Sequence, residues 1–498
     1  MRILVIHQNF PGQFRHVVRA WAAMPGRQVI ALGRQGCPSL QGVHCLQYKL
    51  HRAPRDAQHH YLRSMESAVL HGQAAARVLI ELKKMGFTPD VILAHPGWGE
   101  TLYAKDVFPK AYLIHLCEWF YGAEGADIGF DPEFPATFDD NARIRTWNAL
   151  HLLNLENCDA AVSPTNWQRS RHPEAYRPKL SVIHEGIATE LLRPDPAARI
   201  ALKSGEVFQA GDPVITYVAR NLEPYRGFHV FMRALEKVQA QHKTCHAIII
   251  GGDEVSYGRR PEGARNWREK MLGEVKLDMS RVHFVGKLPY DSYRKVLQVS
   301  AAHVYLTYPF VLSWSMLEAM ATGCAVIGSS TAPVREMLRD GENGRLVDFF
   351  DVDGIAKTVV EALDDGRAQM SLRQQARADA MRYDMKAGLA GYERLLGSGT
   401  PISAAFAIRA QAHVPAANAG KGTSNQAARV RIELSDRERE LLQLMAAGHS
   451  TDRIAELRNR SPATVRNQLS MLYQKLGVAG RAEAISKASV LSIWGPKS

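Results

Sequence analysis

Two arginines in the middle of the chain are the first candidates for binding chemistry. Arg220 and Arg226 occur in "ARNLEPYRGFHVFMRAL", which follows an apolar run and leads into a helical stretch. Guanidinium groups donate paired hydrogen bonds and a helix N-terminus favours negative charge, so this pair is suited to a diphosphate. The alternative is that both arginines are solvated residues of a surface loop.

A second candidate for anion binding lies in "YPFVLSWSMLEAMATGCAVIGSS". The pattern predicts a strand that ends at Tyr308 and a helix that begins near Ser313. Backbone N–H groups at such a helix start, around Ser313, Trp314 and Ser315, are suited to a phosphate. Glu318, about one turn further along, is placed to accept hydrogen bonds from ribose hydroxyls. The alternative is that Glu318 only complements the helix dipole.

Short β-rich runs alternate with helical stretches, and this alternation predicts the elements that position these residues. A first set includes "RILVIHQ", "DVILAHP" and "SVIHEG", and a second set includes "VITYVAR" and "HAIIIGG". Two successive parallel sheets flanked by helices are therefore expected, and ligands of such sheets bind beyond the carboxyl ends of the strands. After the first strand stands one tight-turn glycine, Gly12, and no G-x-G-x-x-G, so a dinucleotide cofactor is not expected.

The charge of the chain is unevenly distributed. The 498 residues carry a formal net charge of +12, and residues 401–498 hold 14 Lys+Arg against 7 Asp+Glu. A basic tail on a nearly neutral body favours a polyanion partner, although a merely soluble basic tail fits as well. Scattered cysteines and the lack of an apolar run of about 18 residues predict a cytoplasmic protein. Residues 1–50 carry six Lys+Arg and no acidic residue, which leaves peripheral membrane contact open.

The C-terminal segment has the pattern of a helical module. A stretch over 399–430, rich in Ala, Ser, Gly and Pro, predicts a flexible linker before it. Ser461 followed by Pro462 is typical of a helix start, because a capping side chain precedes proline at the first helical position. The stripe that this helix would bury consists of Val465, Leu469, Leu472 and Leu476.

The exposed face of the same helix carries hydrogen-bonding groups. Asn467 and Ser470 point away from the apolar stripe, and Arg466 lies on its flank. Polar groups on the exposed face of a second helix suit base edges in a major groove, and Lys475 suits a phosphate. The alternative is a helical module that dimerises or docks a protein.

Residues 1–398 resemble the family 4 glycosyltransferases, whose fold is GT-B. The resemblance rests on "MRILVIHQNFPGQFRH", "DVILAH", "CDAAVSPTNWQRS", "VIHEGIATELLRP", "VARNLEPYRGF", "VHFVGKLPYDSY" and "LEAMATGCAVIGSSTAPVREMLRDGENGRLV". It implies two Rossmann-like, doubly wound domains, over 1–205 and 206–398, that close on a nucleotide sugar. The expected fold class is therefore α/β, followed by a small all-α helix-turn-helix domain over 431–498.

The resemblance also implies roles for the candidate residues. It places the donor diphosphate at Arg220, Arg226 and the helix start near Ser313, and the nucleotide ribose at Glu318. It sets Gly12 against the phosphates from the first domain. The base is expected beside the turn in "VHFVGKLPY", at Gly286, Lys287 and Leu288. The implied reaction is sugar transfer with retention of anomeric configuration, without a cofactor or a metal ion.

Two departures from the family pattern concern the sugar. Most relatives carry a glutamate eight positions before the one that matches Glu318, and this chain has Phe310 there. The residue after "AYLIHLC", often His in relatives and facing the sugar, is Glu118, which we expect to be catalytic, with His95 and His115 on the acceptor side. The stretch that follows either replaces the missing carboxylate or is a solvated loop; its acids are Asp127, Asp131 and Glu133.

Residues 431–490 resemble the LuxR-type helix-turn-helix domain. The residues that this resemblance assigns to DNA contact are Thr464, Arg466, Asn467 and Ser470, and it also suggests a homodimer. One departure is that the apolar residue usual three positions before Ser461 is Arg458 here, with Leu457 just before it. We expect Arg458 to lay its aliphatic stem across the core face, at a local cost of about 1 kcal/mol.

Together these features predict a retaining glycosyltransferase with a DNA-binding or regulatory tail. Two alternatives stay open. The GT-B body of a transcriptional regulator can sense a nucleotide sugar without turnover, which Phe310 favours. The tail of a glycosyltransferase can instead dock a protein partner, which Arg458 allows.

Overall fold

The computed structural model describes residues 1–366, 369–397, 435–446, 449–476 and 484. The chain divides at residue 413 into two compact units, the body and the tail, which are described separately below. The predicted linker over 399–430 lies outside the described residues. None of the helices in the described ranges is both long enough and apolar enough to cross a membrane.

The first domain of the body is built on a seven-stranded parallel sheet. Its strands, in the spatial order β3-β2-β1-β4-β5-β6-β7, are β1 (Arg2–Ile6), β2 (Gln28–Arg34), β3 (His44–Tyr48), β4 (Val91–Ala94), β5 (Tyr112–Leu116), β6 (Ala160–Ser163) and β7 (Leu180–Val182). Its helices are α1 (Arg15–Ala23), α2 (Arg63–Lys84), α3 (Ala104–Val107), α4 (Phe138–Asn157) and α5 (Asn166–Arg171).

The second domain follows a short antiparallel pair, β8 (Arg199–Ala201) and β9 (Val207–Gln209). Its six parallel strands, in the order β12-β11-β10-β13-β14-β15, are β10 (Val214–Asn221), β11 (His246–Gly252), β12 (Val282–Gly286), β13 (Ala302–Tyr305), β14 (Ala325–Ser329) and β15 (Arg345–Val347). Its helices are α6 (Phe228–Gln241), α7 (Trp267–Glu274), α8 (Tyr290–Gln298), α9 (Trp314–Ala321), α10 (Ala332–Arg335), α11 (Val352–Asp364) and α12 (Gln369–Ala380).

Both sheets are covered by helices on two faces, as their apolar strands predict. Successive side chains of a strand point to opposite faces. In β1, Leu4 and Ile6 join one buried cluster while Ile3 and Val5 join another. A sheet buried on both faces needs continuous apolar strands, and this is the pattern of parallel α/β sheets. The predicted α/β architecture of two parallel-sheet domains is confirmed.

The last helix of the body, α13 (Met385–Leu396), returns to the first domain. Tyr392 joins the buried cluster formed by β1 and α1. Glu393 accepts a hydrogen bond from the indole of Trp21 and forms an ion pair with Arg27 at 2.6 Å. By packing, α13 therefore belongs with the first domain, although the predicted second domain extends to residue 398.

The segment between β5 and α4, residues 119–137, crosses from the first domain to the second, and we call it the crossing loop. Trp119 and Ala126 are part of the hydrophobic core of the second domain. Phe130 lies with its ring 5.2 Å from that of Tyr308 and 5.3 Å from that of Phe349. Apolar side chains thus hold this loop on the second domain, although parts of it, including Glu124, are exposed.

The described tail consists of three helices, α14 (Asp436–Ala446), α15 (Thr451–Leu457) and α16 (Pro462–Leu476). The hydroxyl of Ser461 accepts a hydrogen bond from the backbone N–H of Thr464 at 3.2 Å, which confirms the predicted cap of α16. The predicted apolar stripe is confirmed at three positions in the core of the tail, Val465, Leu469 and Leu472. The side chain of Leu476 lies outside the described part of the structure.

Candidate functional site

Three segments that follow neighbouring strands meet at Glu118. Gln13 follows β1, His95 follows β4 directly, and Glu118 stands two residues after β5, so the shared edge of the parallel sheet brings them together. Gln13 Nε2 donates to Glu118 Oε1 at 2.7 Å, and His95 Nε2 lies 3.1 Å from Glu118 Oε2. Burial opposes ionisation of Glu118, but hydrogen bonds from His95 and Gln13 outweigh it and lower the pKa of the carboxyl. Glu118 is therefore an anchored carboxylate.

Gly12 forms the tight turn after β1 with a φ of +48°. A Cβ atom there would lie 2.3 Å from the ring of His7, so both the backbone conformation and the available space require glycine. The turn places Gln13 next to His7, whose Nε2 lies 2.8 Å from Gln13 Oε1. A contact of Gly12 with donor phosphates stays a prediction.

His115 does not lie on the accessible side of the site, and its predicted acceptor-side role is at odds with this position. The side chain is fully buried, and Nδ1 lies 3.2 Å from the backbone oxygen of Asn154 in α4. The reason is strand alternation, which turns His115 of β5 toward the covering helix. His95, by contrast, touches Glu118 and stacks on Trp98 with ring centroids 4.3 Å apart.

Glu185, which the sequence reasoning missed, lies at the interface between the two domains. It follows β7, and its Oε2 accepts a hydrogen bond from the indole of Trp314 at 3.3 Å, while Oε1 is buried without a hydrogen-bond partner among the described residues. Burial and then the negative charge of Glu118 raise the pKa of Glu185 to about 8. This carboxyl is therefore protonated at neutral pH. Its position after a strand in "SVIHEG" is the signal that would have identified it.

Helix α9 begins at the same interface, as predicted for the segment near Ser313. The hydroxyl of Ser313 caps the helix by accepting from the N–H of Ser315 at 3.3 Å. The two hydroxyls lie 3.0 Å apart. Trp314 contacts the first domain through Glu185 and through His16, whose ring is stacked 6.0 Å away. A helix N-terminus with two hydroxyls is suited to an anionic ligand.

Glu318 lies in α9 and is bonded by two tyrosines of α8. The hydroxyl of Tyr293 donates to Oε2 at 2.6 Å, and that of Tyr290 donates to Oε1 at 3.0 Å. Burial raises the pKa of Glu318, although both hydroxyls act in the opposite direction. Because Tyr290 is 41% exposed, a ligand hydroxyl can displace it from the carboxylate. The ribose contact predicted for Glu318, beside the Tyr290 hydroxyl or in its place, stays a prediction.

The two arginines of the predicted diphosphate clamp lie in different environments. Arg220, at the end of β10, is exposed. Arg226 is buried, and its Nη1 donates to Thr307 Oγ1 at 2.7 Å and to the backbone oxygen of Val311 at 2.9 Å. Its guanidinium also lies over the ring of Tyr257 at 5.5 Å. Arg226 thus fixes the segment that leads into α9, and a joint diphosphate contact of the two arginines stays a prediction.

The predicted base site lies at the turn after β12. Gly286 has a φ of +67°, and the side chain of Leu288 is partly buried against the second-domain core. Lys287 is half-exposed, with Nζ 3.2 Å from Glu254 Oε2. Contact of these residues with a base stays a prediction.

Phe310, at the position where the family resemblance led us to expect a glutamate, occupies an aromatic cluster. Its ring centroid lies 4.9 Å from that of Trp119, 5.0 Å from Tyr257 and 5.5 Å from Tyr225. The ring is nearly buried, so this position offers packing and no hydrogen-bond acceptor. A polar contact to a sugar must come from another residue.

Two of the acids in the crossing loop are buried and bonded to the second domain. Asp127 accepts from the hydroxyl of Tyr225 at 2.9 Å, and Asp131 accepts from that of Tyr308 at 2.6 Å. Only 3% and 1% of these two residues are exposed, so the alternative of a solvated acidic loop is wrong for both. The half-exposed Glu133 forms an ion pair with Arg233.

One set of side chains in the described residues has the geometry to hold a metal ion. Ligand atoms of Asp131, Glu133 and His229 all lie within 4.8 Å of one another. His229 Nε2 lies 2.9 Å from Asp131 Oδ2, and Arg233 neutralises Glu133. These groups are already paired by protein partners, and the absence of a required metal stays a prediction.

In the tail, Arg458 joins the three helices. Its Nη2 lies 3.1 Å from Glu440 of α14, and its Nη1 donates to Gln468 of α16 at 3.3 Å, while the preceding Leu457 is 49% exposed. The arginine therefore replaces an apolar contact by two polar ones. Lys475, predicted to bind phosphate, is paired with Glu438 at 2.9 Å, so a phosphate would have to compete for it.

Of the four residues assigned to base or backbone contact in DNA, only Thr464 has a described side chain. It is exposed at the start of α16, with Oγ1 2.8 Å from the hydroxyl of Ser461. The side chains of Arg466, Asn467 and Ser470 lie outside the described part of the structure. Their DNA contacts stay predictions.

Two parallel-sheet domains, whose strand ends meet across a shared interface, define a GT-B architecture. The body matches the "Glycosyl transferase family 4 group" over residues 25–192 and "Glycosyl transferases group 1" over residues 199–379. The tail matches "Bacterial regulatory proteins, luxR family" over residues 433–488. The chain therefore belongs to the family 4 glycosyltransferases and ends in a luxR-family helix-turn-helix domain.

Individual relatives cover parts of the chain. A phosphatidyl-myo-inositol mannosyltransferase of Mycolicibacterium smegmatis is 28% identical over 196 residues, which are 38% of this chain and 47% of that protein. A D-inositol 3-phosphate glycosyltransferase of Acidothermus cellulolyticus is 26% identical over 212 residues, 41% of this chain and 45% of that protein. The chain thus spans about half the length of these curated relatives. The transcriptional regulatory protein DesR of Bacillus subtilis is 33% identical over 144 residues, 28% of this chain and 71% of that protein.

Solved structures share the fold of the body. Sucrose-phosphate synthase from Thermosynechococcus elongatus aligns with a TM-score of 0.58 at 17% identity, over 79% of this chain and 98% of that one. Anabaena HepE, solved in complex with UDP-glucose, aligns with a TM-score of 0.55 at 14% identity, over 78% and 98%. At this identity the likeness concerns the fold alone.

Proposed function

We propose that the body transfers a sugar from a nucleoside-diphosphate sugar to an acceptor. The observation that carries this proposal is the contact of α9 with the first domain. There Trp314 and the capped helix start meet Glu185, while Glu318 lies within the same helix. The family membership supports the reaction class, and the complex of HepE with UDP-glucose supports the donor class.

In the proposed reaction, the bond between the anomeric carbon and the diphosphate oxygen breaks, and the diphosphate leaves with the electron pair. The acceptor hydroxyl bonds to the anomeric carbon from the same face, and its proton passes to the departing diphosphate. The helix start at Ser313 and the cations Arg220 and Arg226 stabilise the developing negative charge. Glu318 exchanges the Tyr290 hydroxyl for a ribose hydroxyl.

The first domain supplies the polar groups that face the sugar in this proposal. Glu118 is an anchored carboxylate that can accept hydrogen bonds from sugar hydroxyls, and His95 holds it in place. Glu185 stays protonated, so it adds no second negative charge beside the diphosphate. Glu118 and Glu185 together provide the polar contacts to the sugar that the phenyl ring of Phe310 does not.

Turnover with a panel of nucleotide sugars tests this proposal. The full chain is incubated with UDP-, GDP- and ADP-sugars, and release of the nucleoside diphosphate is followed together with thermal stability. We expect stabilisation and turnover with at least one donor, because a ligand that binds only the folded state raises its stability. Stabilisation without release would identify a sensor of nucleotide sugars instead. If no nucleotide sugar causes stabilisation or turnover, the proposed donor class is wrong.

We also propose that the tail binds DNA. The luxR-family match over residues 433–488 and the capped α16 on a buried stripe support this second function. The exposed residues of α16 would enter the major groove. Dimerisation through the tail and peripheral membrane contact stay predictions.

A DNA-retardation assay at low salt tests the second function. We expect the wild type to retard DNA and the double variant Arg466→Ala/Asn467→Ala to lose at least tenfold in affinity. Lys357→Ala, which removes an exposed cation from α11 of the body, is the matched control. Retardation that is equal in all three proteins, or absent from the wild type, would contradict the proposal.

A further inference from the structure

Two cysteines of the first domain lie with their sulfur atoms in contact. Cys37 stands three residues after the end of β2, and Cys45 belongs to β3, an edge strand of the seven-stranded sheet. Their Sγ atoms are 3.6 Å apart, and both residues are partly exposed, whereas the other four cysteines of the chain are buried. The fold therefore holds two thiols within reach of each other at a position that a small reagent can enter.

The turn after β2 brings Cys37 back over the strands. The backbone N–H of Cys37 donates to the backbone oxygen of Arg34 at 2.9 Å, and the side-chain amide of Gln47 in β3 donates to the backbone oxygen of Cys37 at 3.4 Å. Gly33 of β2 lies under the sulfur, because a Cβ atom there would be 2.6 Å from Cys37 Sγ. A glycine within a strand marks a close approach of this kind, so β2 leaves the room that Cys37 needs beside β3.

A disulfide between these cysteines requires only a small displacement. The sulfurs of a disulfide are about 2 Å apart, so the two Sγ atoms would have to approach by about 1.5 Å. The residues on either side of Cys37, Gly36 and Pro38, are exposed. The approach therefore involves a surface turn and leaves the core of the sheet in place.

The environment of Cys45 determines which thiol reacts first. Burial, followed by the hydrogen bond and the charge of the Cys37 sulfur, raises the pKa of the Cys45 thiol above its ordinary value, so Cys45 keeps its proton at neutral pH. The thiolate is the form of cysteine that attacks an oxidant. The first attack therefore falls to Cys37, and Cys45 is placed to react second.

We propose that Cys37 and Cys45 form a modification site, which hydrogen peroxide converts to a reversible disulfide. The Cys37 thiolate attacks a peroxide oxygen, the O–O bond breaks, and the departing hydroxide takes up a proton as water, which leaves Cys37 as a sulfenic acid. The Cys45 sulfur then bonds to the Cys37 sulfur, whose S–O bond breaks, and the hydroxyl group leaves as water with the proton of Cys45. Two thiols and one peroxide thus give one disulfide and two water molecules. The site shares no residue with the interface at α9, so it does not rest on the proposed transferase function.

Peptide mapping of the full chain after treatment with hydrogen peroxide tests the proposal. Trypsin cleaves after Arg34 and Lys49, so both cysteines occur in one peptide, residues 35–49. We expect this peptide to lose two hydrogen atoms, to resist alkylation by N-ethylmaleimide, and to regain both thiols after dithiothreitol. Cys245→Ser, at a buried cysteine of the second domain, is the matched control and should form the same disulfide.

The single variants test the order of the two steps. Cys45→Ser should stop at the sulfenic acid of Cys37, which dimedone labels, because no second thiol is in reach. Cys37→Ser should leave Cys45 unlabelled. In the wild type, the disulfide should form at least tenfold faster in the folded protein than in urea, because the fold holds the two sulfurs together.

Three results would contradict the proposal. A peptide 35–49 that keeps two alkylatable thiols after peroxide treatment, or a disulfide from either cysteine to one of the other four, would overturn the modification site. Equal rates of disulfide formation in the folded and the urea-unfolded protein would overturn the role of the fold. Dimedone labelling of Cys45 in Cys37→Ser would overturn the order of attack.

Discussion

The two sides of the domain interface differ in how their polar groups are satisfied. On the second-domain side, Arg226 and Glu318 are buried, and both make hydrogen bonds to protein hydroxyls. On the first-domain side, Glu118 is bonded through both oxygens, but Glu185 keeps a buried oxygen that has no partner in the described part of the chain. The second-domain groups are thus held by protein partners, and the first-domain side holds a protonated carboxyl that can still form a hydrogen bond.

We expect the largest effect at Arg226. Comparing it with Arg220 distinguishes a buried arginine from an exposed one. Arg226→Ala removes the hydrogen bonds to Thr307 and Val311 and leaves both acceptors unpaired. We expect a loss of about 3 kcal/mol in the free energy of unfolding and at least a hundredfold loss of turnover. Arg220→Ala, at an exposed position, should change the stability by less than about 0.5 kcal/mol.

Urea unfolding and donor turnover measure both arginine variants. If Arg220→Ala is as destabilising as Arg226→Ala, the two arginines act as one structural unit and the distinction between them is wrong.

On the facing side, Glu118→Gln should lower transfer about a hundredfold, because the neutral amide no longer offers an anchored negative charge to sugar hydroxyls. Stability should change little, since the amide keeps an acceptor for Gln13 or His95. Steady-state turnover is the measurement, and Glu124→Gln, at an exposed acid of the crossing loop, is the control. Unchanged turnover in Glu118→Gln would remove Glu118 from the reaction.

The effect expected from Glu185 depends on pH. Its pKa of about 8 lies above the ordinary value of 4.5, so the folded state holds a proton that the unfolded state releases between these values. Stability should therefore fall as pH rises from 4.5 to 8, by at most about 1.4 kcal/mol per pH unit from this group. Glu185→Gln should flatten this part of the profile, as followed by urea unfolding at each pH. An unchanged slope would show that Glu185 is already ionised.

The smallest effect is expected at Tyr290, whose hydroxyl we regard as replaceable. Tyr290→Phe frees one oxygen of Glu318, so nucleoside-diphosphate affinity should stay equal or rise up to about fivefold, within the range of one net hydrogen bond. Tyr293→Phe removes the shorter, buried bond and should lower stability instead. Calorimetry on both variants measures these changes, and a tenfold loss of affinity in Tyr290→Phe would mean that this tyrosine contacts the ligand itself.

The sequence could predict the neighbourhood of most candidate residues. Gly12 and Glu118 follow strands of the first sheet and Ser313 follows a strand of the second, and parallel strands bring their carboxyl ends to one edge of each sheet. Capping also predicted the start of α16, and the strand-to-helix pattern predicted that of α9. These predictions were possible because each depends only on residues close together in the sequence.

The partners of these residues could not be predicted, because they come from distant segments. The hydroxyls bound to Glu318 lie in α8, and the burial of His115 depends on α4. Arg458 appeared to be a flaw in an apolar core, yet Glu440 and Gln468 of the neighbouring helices bind it. Ion pairs and covering helices of this kind are fixed only by the tertiary fold.

The most direct test of the central claim is a calorimetric titration of UDP, GDP and ADP into the wild type and Glu318→Gln. If the donor nucleotide binds at α9 through Glu318, one nucleotide should bind the wild type saturably and Glu318→Gln at least tenfold more weakly. Glu190→Gln, at an exposed glutamate paired with Lys386, should match the wild type. Equal affinity in the wild type and Glu318→Gln, or no binding of any of the three nucleotides, would contradict the claim.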